Sequence, residues 1–110
     1  DVLGHPTGRL ILKRDGYKLA FEKIVDAAAA AGVALEINSQ VDRLDLDDSK
    51  ARFAKERGVK LIIDSDAHSP AGMLALRWGV ITARRAWLEP SDILNTQPVD
   101  GFRASLRRNR

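Results

Sequence analysis

The apolar positions of this chain fall into short runs separated by polar, glycine- and proline-marked breaks, and that alternation predicts its elements. Val2-Leu3-Gly4-His5 predicts a short buried strand over 2–5, ended by Pro6 and a turn at Thr7-Gly8. Residues 9–16 form a mixed, basic connection closed by Gly16. From Tyr17 the positions Tyr17, Ala20, Phe21, Ile24, Ala28 and Ala31 recur at helical spacing, and the alanines at 27–31 favour helix. Gly32 stands where a left-handed cap would close that helix. Val33–Asn38 then predicts a second strand, and Ser39–Leu46 is polar and irregular. Asp47 or Asp48 can cap a second helix running to Gly58, and Val59–Ile63 predicts a third strand.

The two helix-to-strand junctions echo each other. Gly32-Val33-Ala34-Leu35-Glu36-Ile37-Asn38-Ser39 aligns with Gly58-Val59-Lys60-Leu61-Ile62-Ile63-Asp64-Ser65 at an offset of 26 residues. Strands alternating with helices at that spacing predict parallel βαβ units, hence an α/β fold. After His68 the chain turns helical: Pro70 suits a first turn, Gly72–Trp78 and 80–87 follow, Pro90 starts a short helix through Leu94, and Pro98 opens a last one carrying Phe102 and Leu106. About three parallel strands are too few to close a barrel, and α/β barrels run to about 250 residues. Residues 1–110 therefore predict the carboxy-terminal part of a barrel, a single partial domain. With Met73 the single methionine, the chain reads as a piece of a longer protein.

Composition narrows the chemistry. The absence of cysteine excludes disulfides, thiolate catalysis and cysteine zinc fingers, and allows a reducing, cytoplasmic setting. No apolar run approaches the ~20 residues of a membrane span, so no membrane partner is expected. The net charge is only +3, but it is uneven, because residues 1–76 are nearly balanced while 77–110 hold 7 basic against 3 acidic groups. That basic end, with Arg103, Arg107, Arg108 and Arg110, reads either as a solvated helix face or as a weak polyanion contact.

Both histidines sit where a strand ends, the place where parallel α/β folds build their sites. His5 follows the first strand, and Asp66 and His68 follow the third. If residues 64–68 stay extended, Asp66 and His68 project to one face, half of a divalent-metal site, with His5 as a third ligand. The plainer alternative is turn chemistry for the Asp-Ser-Asp run and hydrogen-bonded structural histidines. Glu36 and Asn38 share one face of the second strand, where a glutamate is either a strand-end group reaching solvent or a salt bridge, or else a metal ligand or a group that orients an imidazole. Arg9 and Arg43 follow the first and second strand ends and are candidates for holding phosphate oxygens, or else surface arginines.

Taken in order, Gly4-His5-Pro6-Thr7-Gly8-Arg9, Leu35-Glu36-Ile37-Asn38, Arg43-Leu44-Asp45-Leu46 and Ser65-Asp66-Ala67-His68 resemble the carboxy-terminal half of a PHP (polymerase and histidinol phosphatase) domain. The version most similar is the one attached to bacterial and archaeal family X DNA polymerases, and Ala83–Leu88 with Asp92–Thr96 is similar to their ends. The resemblance implies a distorted seven-stranded (β/α) barrel with several divalent ions, Mn²⁺ or Zn²⁺ with Mg²⁺ also usable, at its strand ends. It implies a phosphoesterase, a 3′–5′ exonuclease on DNA 3′ ends in DNA repair, with His5, Asp66 and His68 as metal ligands and Glu36 and Asn38 supporting them. It further implies that the amino-terminal half of the barrel and a polymerase core complete the protein, and that the isolated segment is inactive. Asp64 stands where the family more usually has a neutral residue, and Gln40-Val41-Asp42-Arg43 lacks a proline common there. A small-molecule phosphatase of the histidinol phosphate phosphatase type, or a non-catalytic DNA-binding or packing module, are the alternatives.

Overall fold

The computed structural model describes residues 1–106, so Arg107, Arg108 and Arg110 of the basic cluster lie outside the described residues. Its elements in chain order are β1 (Val2–Leu3), α1 (Phe21–Ala31), β2 (Ala34–Asn38), α2 (Asp48–Glu56), β3 (Leu61–Asp64), α3 (Leu76–Arg85) and α4 (Val99–Ser105). Short 3-10 turns occupy Ala71–Ala75, Pro90–Asp92 and Leu94–Thr96. The three strands form one parallel sheet in the order β1-β2-β3. The α/β class with parallel βαβ units is therefore as the spacing predicts.

The register explains the sequence echo. Leu35, Glu36, Ile37 and Asn38 lie beside Leu61, Ile62, Ile63 and Asp64, the same offset of 26. Each junction begins with a left-handed glycine, Gly32 at φ 62° and Gly58 at φ 78°. Gly32 closes α1 by donating its N–H toward the Ala28 and Ala29 carbonyls. Asp47 starts α2 by accepting the Lys50 N–H at 2.8 Å.

The core lies between the sheet and α1, α2 and α3. Val25, Leu35, Ile37, Leu46, Ala51, Ala54 and Leu61 are fully buried. Each of the larger side chains contributes roughly 1.5–3 kcal/mol by leaving water. Helix α3 comes so close to the β2 end that a Cβ on Gly79 would stand 2.0 Å from Ser39 Oγ and 2.6 Å from Ile63 Cγ2. The outer edge of β3 is closed by a parallel bridge between Leu61 and Ile93 and by the Asn95 side chain. Asn95 accepts the Ile63 N–H at 3.2 Å and donates to the Ile63 carbonyl at 2.6 Å, imitating a neighbouring strand.

Several boundaries differ from the pattern reading. The first strand is two residues long and exposed, with Val2 37% and Leu3 40% accessible, because it forms the sheet edge. Tyr17 precedes α1 and packs its ring over Gly8, whose φ of 66° and contact with that ring leave no room for a Cβ. Val59 still belongs to the end of α2, its N–H donating to the Ala54 carbonyl at 3.0 Å, which delays β3 to Leu61. The two helical stretches predicted around Trp78 are one helix with a 3-10 lead-in, and Leu106 lies just past α4.

Candidate metal centre

The carboxyl ends of the strands bring four of the predicted side chains together. His5 and Asp66 both take left-handed backbone, φ 45° and 47°, a region in which Asp, Asn and His are enriched and in which chain direction reverses sharply. His5 is half-exposed; its Nε2 lies 3.9 Å from Asp66 Oδ2 and its Nδ1 lies 3.4 Å from Glu36 Oε2. The His5 backbone N–H also donates to Glu36 Oε2. Arg43 Nε approaches Asp66 Oδ2 at 3.9 Å.

Asn38 fixes the arrangement. Its Oδ1 accepts the Gln40 N–H at 3.0 Å, so its amino group must face the carboxylates. Nδ2 donates to Asp66 Oδ2 at 3.0 Å and to Glu36 Oε1 at 3.3 Å. The same Nδ2 lies 3.3 Å from His5 Nδ1, which also lies 3.4 Å from Glu36 Oε2, so Asn38 and Glu36 together set the His5 ring with Nε2 on the Asp66 side.

Glu36 is almost wholly buried, and its carboxyl is pushed up to about 7. Burial is the main cause; the His5 N–H opposes it, Asp64 beside it raises it further, and Asn38 offsets a part. Asp64 Oδ1 is itself buried without a hydrogen-bond partner among the described residues. Glu36, Asp64 and Asp66 thus lie at the neighbouring ends of β2 and β3, and one oxygen of Asp64 has no donor among the described residues. An acceptor without a donor is costly in a protein interior. Oxygen donors with an imidazole are a set that divalent cations accept, so the chemistry of the cluster fits one. The fit is that of a partial site, since the described residues contain no group of three His, Asp or Glu side chains set to hold an ion.

His68 is placed differently from the extended-backbone expectation. The strand ends at Asp64 and Asp66 turns left-handed, so residues 64–68 do not alternate as a strand. The exposed His68 ring instead bonds the Asp66 backbone carbonyl through Nδ1 at 2.8 Å. Arg9 commits its guanidinium to the chain, donating from Nε to Arg43 O at 2.8 Å and from Nη2 to Leu44 O at 2.5 Å, with Asp47 4.0 Å from Nη1. It thereby braces the loop that carries Arg43.

Two residues not singled out from the sequence hold the loops. Asp45, fully buried, accepts the Thr7 N–H at 3.1 Å and the Gly8 N–H at 3.0 Å, which fixes the turn after His5. Its backbone also pairs with Asn38. Gln40 Nε2 donates to the Ser65 carbonyl and ties the β2 and β3 ends together. Local sequence carries no sign of either contact, although Asp45 stands inside the Arg-Leu-Asp-Leu segment.

No family model matches the chain. It is similar to the DNA polymerase/3′–5′ exonuclease PolX of Bacillus subtilis (strain 168), 38% identical over 109 residues. That alignment takes in 99% of this chain and 19% of the length of PolX. Nearly every residue of this chain thus belongs to a segment homologous to PolX, a family X polymerase that carries a PHP domain.

Proposed function

We propose that this chain is part of a PHP barrel whose strand-end site hydrolyses DNA from its 3′ end within a family X DNA polymerase. The observation that carries the reading is the convergence of His5, Glu36, Asn38 and Asp66 at adjacent strand ends, in a chain 38% identical to a protein named as a 3′–5′ exonuclease. His5 Nε2 and Asp66 Oδ2 would hold a divalent ion, Mn²⁺, Zn²⁺ or Mg²⁺, and His68 Nε2 would join them. Such an ion supplies charge neutralisation at a phosphodiester and acidification of water. The chain's own residues prepare the place. Glu36 orients the His5 ring, Asn38 sets the Asp66 carboxylate, and Arg43 adds a positive charge beside Asp66 for a phosphate oxygen. The rest of the barrel and the polymerase core would complete ligands and substrate path.

The test uses the intact protein on single-stranded DNA with a free 3′ hydroxyl and, in parallel, on phosphate monoesters. Release of nucleoside 5′-monophosphates from the DNA, abolished by chelation and restored by Mn²⁺, is the expected result. Hydrolysis of monoesters with DNA left whole would assign the site to a small-molecule phosphatase instead.

A further inference from the structure

The strand-end face carries a projecting loop that the metal ligands do not use. Between β1 and α1 the chain doubles back over residues 10–14, with Leu10 N–H donating to Arg14 O at 2.9 Å and Arg14 N–H to Leu10 O at 2.8 Å. At the tip stands Leu12, 101% exposed and at φ 63°. A leucine is an unfavourable choice there twice over, since its side chain meets only water and the left-handed backbone favours glycine or asparagine.

The loop is braced, so its shape is a fixed feature. Ile11 N–H donates to Asp42 O at 2.7 Å, and Arg14 donates to Gly8 O from Nε at 3.1 Å and from Nη2 at 2.8 Å. The segment it leans on leads into Arg43, which faces Asp66. The loop is thus tied through Ile11 to the residue that precedes Arg43. Its charged neighbours are mostly cationic, Arg9, Lys13, Arg14 and Lys18 against Asp15 and Asp42. The ammonium groups of Lys13 and Lys18 are exposed, with no partner among the described residues.

We propose that Leu12 is an apolar wedge that this loop sets against the terminal bases of a nucleic-acid strand, with Lys13 and Lys18 on the backbone phosphates. The inference rests on the reading of the site as one acting on DNA ends, and it names the residue that separates such an end from its stack. A fully exposed apolar side chain at the tip of a braced loop, flanked by lysines, is the form of a base-step wedge.

The experiment places 2-aminopurine next to the 3′ terminus of a duplex and follows its fluorescence as the intact protein binds. Unstacking by the wedge raises the signal. Leu12→Gly suits the backbone, so its melting temperature should match or exceed that of the parent, while the fluorescence rise is lost; Leu12→Met should keep it. Lys13→Ala with Lys18→Ala should lower the salt dependence of binding by about two counterions. A full fluorescence rise with Leu12→Gly, or an unchanged salt dependence in the lysine pair, would overturn the wedge while leaving exonuclease action on DNA ends standing. Failure of the parent protein to bind the duplex end would overturn both.

Discussion

Asn38 on the middle strand donates to Asp66 at the end of the last strand at 3.0 Å, and the same amide reaches Glu36 at 3.3 Å. One neutral side chain thus holds two carboxylates that would otherwise repel, and it does so from a fully buried position.

Replacing Asn38 with Asp removes both donors and adds a further carboxylate to the cluster. Burial of polar groups without partners costs about 1–3 kcal/mol each, so the variant should be destabilised by at least that much. Urea unfolding of the two proteins at neutral pH measures the difference. Equal midpoints would show that the amide does not hold the cluster.

Much of this architecture was legible in the sequence, and the reason is local. Gly32 and Gly58 mark left-handed helix ends, and the matching octapeptides that follow them became neighbouring strands in register. Asp47 as a helix cap and Glu36 with Asn38 on one strand face were equally readable, since capping and alternation depend on near neighbours. What could not be read was set by contacts distant in the chain. Arg9 spends itself on carbonyls some 34 residues away, Asp45 reaches back to Thr7 and Gly8, and Asn95 closes the edge at Ile63. The turn at Asp66 also broke the alternation assumed for Asp66 and His68.

The contact between Gly79 and Ser39 leaves no space for a methyl group. Gly79→Ala should cost 1–3 kcal/mol or somewhat more by overpacking, a range of about 1–3 kcal/mol being typical. Removing the hydroxyl with Ser39→Ala should recover a part of that loss, because Ile63 still stands 2.6 Å from the new carbon. Melting temperatures of the single and double variants check the coupling, and strict additivity would contradict it.

Asn95 should behave as a strand substitute. Asn95→Leu removes a donor and an acceptor facing Ile63, at a cost of about 1–3 kcal/mol, and should speed hydrogen exchange of the Ile63 amide. Unchanged protection of that amide would show that the edge is closed by other means.

The charge on Asp47 makes one contribution to stability depend on pH. Burial raises its carboxyl, but the Lys50 N–H, the Lys50 ammonium and Arg9 outweigh that and hold it below the ordinary 3.8. A carboxyl lowered in the folded state stabilises above its unfolded value, and that contribution is lost as pH falls through the folded value. Asp47→Asn keeps the cap and removes the charge. Its melting temperature should lie below the parent's at pH 7, and the gap should close below about pH 4, near the unfolded carboxyl value. A gap that persists in acid would assign the loss to the cap alone.

The described residues supply only a partial set of ligands, so the 110-residue chain should bind Mn²⁺ or Zn²⁺ weakly. Calorimetric titration showing a tight, stoichiometric site would contradict that.

On the proposed function, Asp66 holds a metal used on DNA ends. Asp66→Asn in the intact protein keeps the shape and removes the charge, so bound metal and 3′–5′ exonuclease rate, measured on one preparation, should fall together by orders of magnitude with the melting temperature nearly unchanged. An Asp66→Asn protein that melts earlier yet keeps its metal and its exonuclease rate would contradict the account.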